Sequence, residues 1–330
     1  MNPSRVPASR PDAPSDPAET AQFAADLQYY LMQEPRQLPS RYLYDPLGSA
    51  LFEAICRLPW YRITRAEERL LATHGNDVFW RVRPSRIVEL GSGSGEKLRI
   101  LLAARGAVAD AIDVHLVDVS SSALETARRA LQVFEHVQVA VHQTRYEQGL
   151  REVCQDRTNA DRVLVAFLGS NIGNYDPPGA NAFLRSVRRH VRPGDALLLG
   201  VDLVKPKDEL YLAYDDPLGV TAAFNRNLLV RINRELDGDF DLAEFAHQAV
   251  WNEAESRVEM HLVARSAQEI HVPAAQLAFT MHEGDRIWTE SSYKYRPDNM
   301  VGLLEHAGFR LAGQWIDQTD QFALTLVEAL

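Results

Sequence analysis

Apolar and polar positions recur along the chain with two different periods, and the change of period divides it. From Glu19 to Glu34 the apolar residues fall at helical spacing, and LPSRYLYDPLGSALFEAICRLPWYRITRAEERLLATHG supplies two further helical stretches, broken by Pro46, Gly48 and Pro59. Short β-rich apolar runs come next: IVEL, VHLVDV, VQVAVHQ, RVLVAFLGS and ALLLGVDL. Most are separated by helical patterns such as EKLRILLAA, SALETARRALQVF and ANAFLRSVRRHV. A strand apolar almost throughout has both faces covered, and strands alternating with helices imply crossovers, so this part is predicted to be a parallel, doubly wound α/β sheet. After Lys205 the alternation stops. Residues 206–245 carry a helical pattern with the turn-prone LDGDFD near its end, and HQAVWNEAESRVEMHLVARSAQEIHV reads as a hairpin. The last stretch gives a helix, a stop at Gly308 and two strands able to rejoin the parallel sheet. An α+β unit inserted into an α/β domain is the expected organisation, with no internal repeat.

Composition excludes several classes of function. The 330 residues are 46% hydrophobic, enough for one large core or two ordinary ones. A net charge of -10, with no long block of positive charge, argues against nucleic acid as a partner. Cys56 and Cys154 are far apart and lack metal-ligand spacing, which fits a reducing compartment, here the cytoplasm. The first twenty residues are rich in Pro, Ser, Ala and charge, without a signal-peptide core, and are expected to be a disordered tail. No run approaches the roughly 20 apolar residues that cross a bilayer, so a soluble protein without a membrane partner is expected, as a monomer.

The stretch IVELGSGSGEK holds the first chemical signal. In an open parallel sheet, ligands bind beyond the carboxyl ends of the strands where strand order reverses, and Gly91, Gly93 and Gly95 fall at such an end. Glycines permit positive φ and a close approach of ligand to backbone. A dinucleotide fingerprint needs glycine where this chain has Glu96, which disfavours a pyrophosphate ligand. The second strand ends at Asp118, a carboxylate suited to a ribose diol; the plainer alternative makes Asp118 a helix cap beside an ordinary tight turn. Turn, acid and probable strands together resemble class I S-adenosylmethionine-dependent methyltransferases.

More specific segments occur in fixed order: LPSRYLYDPLGSALFEAICRLPWYRITRAE, VELGSGSGEK, FLGSNIGN, DLVKPKDEL, AYDDPLGVTAAFNRNLLVRINREL, RVEMHL and TESSYKY. From about Leu38 onward they resemble the L-histidine Nα-methyltransferase family, whose members make histidine betaine (hercynine) in ergothioneine biosynthesis. The resemblance implies a Rossmann-like class I methyltransferase sheet with an inserted α+β substrate-binding domain. The division expected is a tail over 1–20, a substrate-binding domain of 21–65 plus 203–292, and a methyltransferase domain of 66–202 plus 293–330.

The same resemblance assigns roles. S-adenosylmethionine, the implied methyl donor, falls to Tyr44, Gly91, Lys97 and Asp118, with Arg145 and Tyr146 at the adenine. Lys97 could pair with the methionine carboxylate and Tyr146 cover an adenine face; a solvated helix lysine is the bland alternative for Lys97. At Arg145 the family commonly has an aspartate that accepts from the adenine amino group. Arginine cannot accept, which leaves Gln143 or a backbone carbonyl for that bond. For the substrate, L-histidine, the resemblance implies Asn174 and Tyr214 at the α-carboxylate, Tyr61 and Met260 along the cavity, and Glu290 with Ser292 at the imidazole. Two residues apart on an extended segment, Glu290 and Ser292 point to one side. Taken alone, Tyr61 and Met260 would be core residues and Glu290 a solvated strand residue. Asn171 stands where the family commonly has a threonine near the amine, so another amino acid or histidine derivative is the alternative substrate. A non-catalytic module that binds the donor or the amino acid is the alternative of a different class. Methyl transfer needs the amine neutral and aligned with the sulfonium, with no metal, and no H-x-x-x-H pair is present.

Overall fold

The computed structural model describes residues 17–106, 111–158 and 160–330. Helix α1 (Pro17–Leu31) opens the described chain, so residues 17–20, expected within a disordered tail, are helical; residues 1–16 lie outside the described part. Helix α2 (Pro46–Arg57) begins at the proline expected to interrupt it. Asp45 caps it by accepting from the Gly48 N–H at 2.7 Å, and proline in a first turn gives up only an N–H that has no intrahelical partner. Helix α3 (Ile63–Val82) follows the break at Pro59.

From there strands and helices alternate as the periodicity predicts: β1 (Arg86–Leu90), α4 (Glu96–Ala103), β2 (Ile112–Asp118), α5 (Ser121–Leu131), β3 (Val137–Gln143), α6 (Tyr146–Gln155), β4 (Val163–Phe167), α7 (Pro177–His190) and β5 (Ala196–Asp202). These strands pair in parallel in the order β5-β4-β1-β2-β3. Their apolar runs are buried on both sides. Ile87, Leu116, Leu164 and Leu198 join the core formed with α3, α4 and α5, while Val88, Leu90, Val165 and Leu199 face α6 and α7.

After Asp202 the chain leaves the sheet through α8 (Lys207–Tyr214) and α9 (Val220–Leu236). It continues as β6 (Phe245–Asn252), β7 (Arg257–Ala264), β8 (Gln268–Val272), β9 (Leu277–Met281) and β10 (Arg286–Tyr293). The expected hairpin is β6 with β7; β10 adds to the other side of β7, and β8 pairs with β9 as a separate ribbon. Helix α10 (Pro297–His306), β11 (Phe309–Asp317) and β12 (Phe322–Ala329) return to the sheet. The two final strands are a hairpin at one edge of a seven-stranded sheet, with β12 antiparallel to both β5 and β11, since strands joined by a short turn run in opposite directions.

Strand order reverses between β1 and β4, so the connections leaving these neighbours diverge and open a crevice at their carboxyl ends. The inserted elements and the N-terminal helices cover it. Asp45 locks them together, because the carboxylate that caps α2 also accepts from Asn227 Nδ2 at 2.7 Å and from Arg234 at 2.8 Å, both on α9. Asp216 of the AYDD segment is a second cap, accepting from the Thr221 N–H at 2.7 Å and the Leu218 N–H at 3.0 Å at the start of α9.

Candidate active site

At the carboxyl end of β1 the chain turns through Gly91, Gly93 and Gly95 with φ of 81°, 49° and 74°. A Cβ on Gly91 would stand 2.8 Å from both Asn171 Nδ2 and the Tyr146 hydroxyl, and one on Gly95 would stand 2.7 Å from Ala127 Cα of α5. With positive φ as well, both positions demand glycine. Asp118 ends the neighbouring strand and accepts from the Ser120 N–H at 2.9 Å, with further support from the Ser92 and Gly93 amides. Burial still raises its pKa above the usual carboxylate value. The cap of α5 is Ser120, through its hydroxyl and the Ala123 N–H, which removes the plainer reading of Asp118. Tyr146 opens α6 with its ring edge-on to Phe167 at 5.5 Å. Arg145 beside it is exposed and makes no side-chain cap, while Gln143 donates to the Val119 carbonyl at 3.4 Å.

Lys97 is not the free cation that a helix-start lysine suggests. Its Nζ lies 2.8 Å from the carboxylate of Glu67, which is fully buried, and both Glu67 oxygens also accept from the Gly169 N–H at 2.8 and 2.9 Å. Glu67 therefore ties the turn after β4 to α3 and neutralises Lys97. The lysine still keeps a higher pKa than usual, because Glu67 outweighs the burial that works against its charge.

Between the sheet and its cover lies a cavity lined by Tyr44, Tyr61, Tyr214, Met260, Glu290 and Ser292 and, from the turn after β4, by Gly169, Asn171 and Asn174. Its walls are aromatic: Tyr61 meets Tyr214 edge-on at 6.1 Å, and Tyr44 meets Phe224 at 5.5 Å. A shift of register between Trp288 and Glu290 sets Glu290 opposite Met260, and Ser292, two residues on, lines the same cavity. Burial pushes the Glu290 carboxyl up to about 7, against the opposing pull of Lys294 and the Tyr44 hydroxyl. Tyr44, expected at the cofactor, lines this cavity with its hydroxyl bonded to Glu290. Asn174 lines the cavity from an exposed position.

Ser292, expected at the imidazole, has two protein partners. Its hydroxyl is 2.9 Å from the Tyr214 hydroxyl, and both accept from Lys294 Nζ, at 2.9 and 2.7 Å. Lys294 is itself buried and ion-paired with Asp202 at 2.9 Å, and Asp202 in turn holds Lys205 at 2.7 Å. Burial alone would favour neutral lysine, yet Asp202 and Tyr214 raise the Lys294 pKa, so it stays charged. Glu67, Asp202 and Lys294 escaped the sequence reading. One signal was present for Asp202, an acid closing a strand that is apolar in every preceding position but a glycine.

Three or more His, Cys, Asp or Glu residues do not cluster as a metal-binding group among the described residues, and no helix there is long and apolar enough to cross a membrane.

Comparison with known proteins aligns with this geometry. Residues 23–329 match the family described as histidine-specific methyltransferase, SAM-dependent. The chain is 40% identical over 308 residues to the histidine N-alpha-methyltransferase of Mycolicibacterium smegmatis, covering 91% of this chain and 93% of that protein. It is 29% identical over 271 residues to ergothioneine biosynthesis protein 1 of Neurospora crassa, 77% of this chain and 31% of that longer protein. Among solved structures, an S-adenosylmethionine-dependent methyltransferase from Clostridium acetobutylicum superposes with a TM-score of 0.46 at 10% identity, covering 84% of this chain and 97% of the other.

Proposed function

The chain belongs to the SAM-dependent histidine-specific methyltransferase family, and from that membership we propose that it transfers three methyl groups to the α-amine of L-histidine, giving histidine betaine for ergothioneine biosynthesis. The observation that carries the reading is the cavity itself: one buried acid, a hydroxyl cluster on a buried lysine and aromatic walls, all at the reversal of strand order.

S-adenosylmethionine fits the residues around the glycine turn. The space that a Cβ on Gly91 would fill, the Tyr146 ring and the strand-end Asp118 suit a nucleoside. Bound there, the donor supplies an electrophilic methyl group on sulfur. Glu290, aided by Tyr44, accepts from an imidazole N–H, while Tyr214, Ser292 and Asn174 receive the carboxylate. The amine has to be neutral to attack, and withdrawal from water into an aromatic cavity lowers its pKa. Tyr61 and Tyr214 offer ring faces to the quaternary ammonium of the product, which has no N–H to donate. Cys56 and Cys154, both free thiols, suit a reducing cytoplasm.

Incubation of the purified protein with S-adenosylmethionine and each common amino acid, read by mass spectrometry, tests the proposal. Three added methyl masses on histidine alone are expected. Transfer to a different amino acid, or none to any, overturns it.

A further inference from the structure

Lys294 is a charged side chain sealed behind the cavity wall, and its ammonium donates to Tyr214 Oη at 2.7 Å and Ser292 Oγ at 2.9 Å and is ion-paired with an Asp202 carboxylate oxygen at 2.9 Å. Those bonds fix the two hydroxyls. Each already accepts from the lysine, and their oxygens lie 2.9 Å apart, so one donates to the other. A single O–H is left over, and both residues line the cavity. The charges behind them do not cancel, because Asp202 is shared between Lys294 and Lys205. Buried beneath the hydroxyl pair are two ammonium groups and one carboxylate.

We propose that Lys294, anchored by Asp202, is the positioning residue for the carboxylate end of the substrate: it orients the Tyr214 and Ser292 hydroxyls so that one donates into the cavity, and it lends that donor an excess positive charge. The proposal deepens the histidine-methyltransferase reading and rests on it. An anion gains from this arrangement, and a protonated amine loses. The device therefore does two things with one charge: it grips the carboxylate and shifts the bound amine toward its neutral, nucleophilic form. The charged and titratable groups facing Lys294 are Asp202 from the end of β5, Lys205 just beyond it, Tyr214 from α8 and Glu290 from β10. Glu290, once ionised, adds a negative charge to that of Asp202, and it lies two residues from Ser292 on the strand.

The test compares Lys294→Gln with the double variant Asp202→Asn/Lys294→Gln, which carries no unpaired buried carboxylate. In both, the histidine KM should rise at least about tenfold. The acid limb of the kcat profile should move up by about one pH unit in Lys294→Gln and stay near its wild-type place in the double variant, where Lys205 keeps the surplus charge, and S-adenosylmethionine affinity measured by calorimetry should stay within about twofold of wild type in both. Recovery of the histidine KM in the double variant would reduce Lys294 to a neutraliser of Asp202 and overturn the proposal. So would a pH limb unmoved in Lys294→Gln, or loss of donor binding in both variants, which would mark the pair as scaffolding. Wild-type protein that fails to methylate histidine sinks the underlying reading instead, and the two failures are told apart by that control.

Discussion

Replacing Glu290 with glutamine should make the ligand-free protein more stable while making it a worse enzyme. The folded-state carboxyl is pushed up to about 7 from its ordinary 4.5, chiefly by burial. The folded protein thus holds this proton more tightly than the unfolded chain does. Where a folded pKa is raised, stability is fully present below the unfolded value, falls as pH climbs toward the folded value and is level above it. Each tenfold change in proton affinity is worth about 1.4 kcal/mol, so the ionised carboxylate costs about 3 kcal/mol above neutral pH. Glutamine escapes that penalty, though its amide must find new partners in the cavity. Tyr44 can still donate to its oxygen, and an unpaired amide N–H gives back about 1 kcal/mol. A net gain of roughly 2 kcal/mol follows at pH 8.5, shrinking to nothing near pH 5 and turning to a small loss below it.

Urea unfolding of wild type and Glu290→Gln without ligands, at pH 8.5 and near pH 5, reads this directly as a shift of midpoint at constant slope. Equal midpoints at both pH values, or the same difference at both, would refute the buried-acid argument. The companion measurement is kinetic. The histidine KM should rise at least about tenfold in Glu290→Gln and in Glu290→Ala, since a hydrogen bond to a charged group contributes about 1.5–3 kcal/mol. An unchanged KM would take Glu290 out of the pocket.

Tyr44→Phe removes the hydroxyl beside Glu290 and should raise the histidine KM several-fold with donor affinity unchanged; a fall in donor affinity instead would return Tyr44 to the cofactor. Gly91→Ala forces a Cβ to within 2.8 Å of Asn171 Nδ2 and the Tyr146 hydroxyl at a φ of 81°, and calorimetry should find donor affinity down at least about tenfold, with a stability cost of about 1–3 kcal/mol. Glu67→Gln strands the Lys97 charge and weakens the grip on the Gly169 N–H, and chemical unfolding should show a loss of roughly 3 kcal/mol. A loss below about 0.5 kcal/mol would mean that Lys97 finds enough water to do without it.

The layered sheet could be read in advance because its strands are apolar over their whole length and its crossovers keep helical period; both signals are local. Proline and the chain ends were harder. Pro46 looked like a break, yet capping by Asp45 turns it into a start, and the cap works only because Asn227 and Arg234, far along the chain, hold the same carboxylate. The place of β12 was hidden for a similar reason: period marks a strand but does not say that it inserts between β5 and β11. At the site, Glu290, Ser292 and Tyr214 were found through the company of their motifs, but which of them touch was not. Ser292 was expected to serve the imidazole with Glu290, and its bonds to Tyr214 and Lys294 could not be read from its own segment. No pattern in one segment announces a partner from another, and Lys97 shows the cost: its helix-start position suggested a free charge, while Glu67 on α3 had already taken it.

The pairs now visible give the cavity a charge pattern that suits its reaction. Glu67 with Lys97 is a neutral pair beneath the turn after β4, so the bound donor keeps its own positive sulfur without a competing net charge there. Asp202 with Lys294 and Lys205 carries one surplus positive charge, and Glu290 supplies one negative charge once ionised. Histidine ready for methylation has a neutral amine, a carboxylate and a neutral ring bearing one N–H. It needs a positive region for the carboxylate, an acceptor for the ring and no anion at the amine. Two opposite charges held in one cavity by separate hydrogen-bond sets meet those needs, and they do so without a dedicated base. The same argument explains why the cover is built from distant parts of the chain. Glu290 and Lys294 lie four residues apart at the end of one strand, and each is held by a residue from elsewhere in the chain: the Tyr44 hydroxyl holds the acid, and Asp202, from the sheet, holds the ammonium.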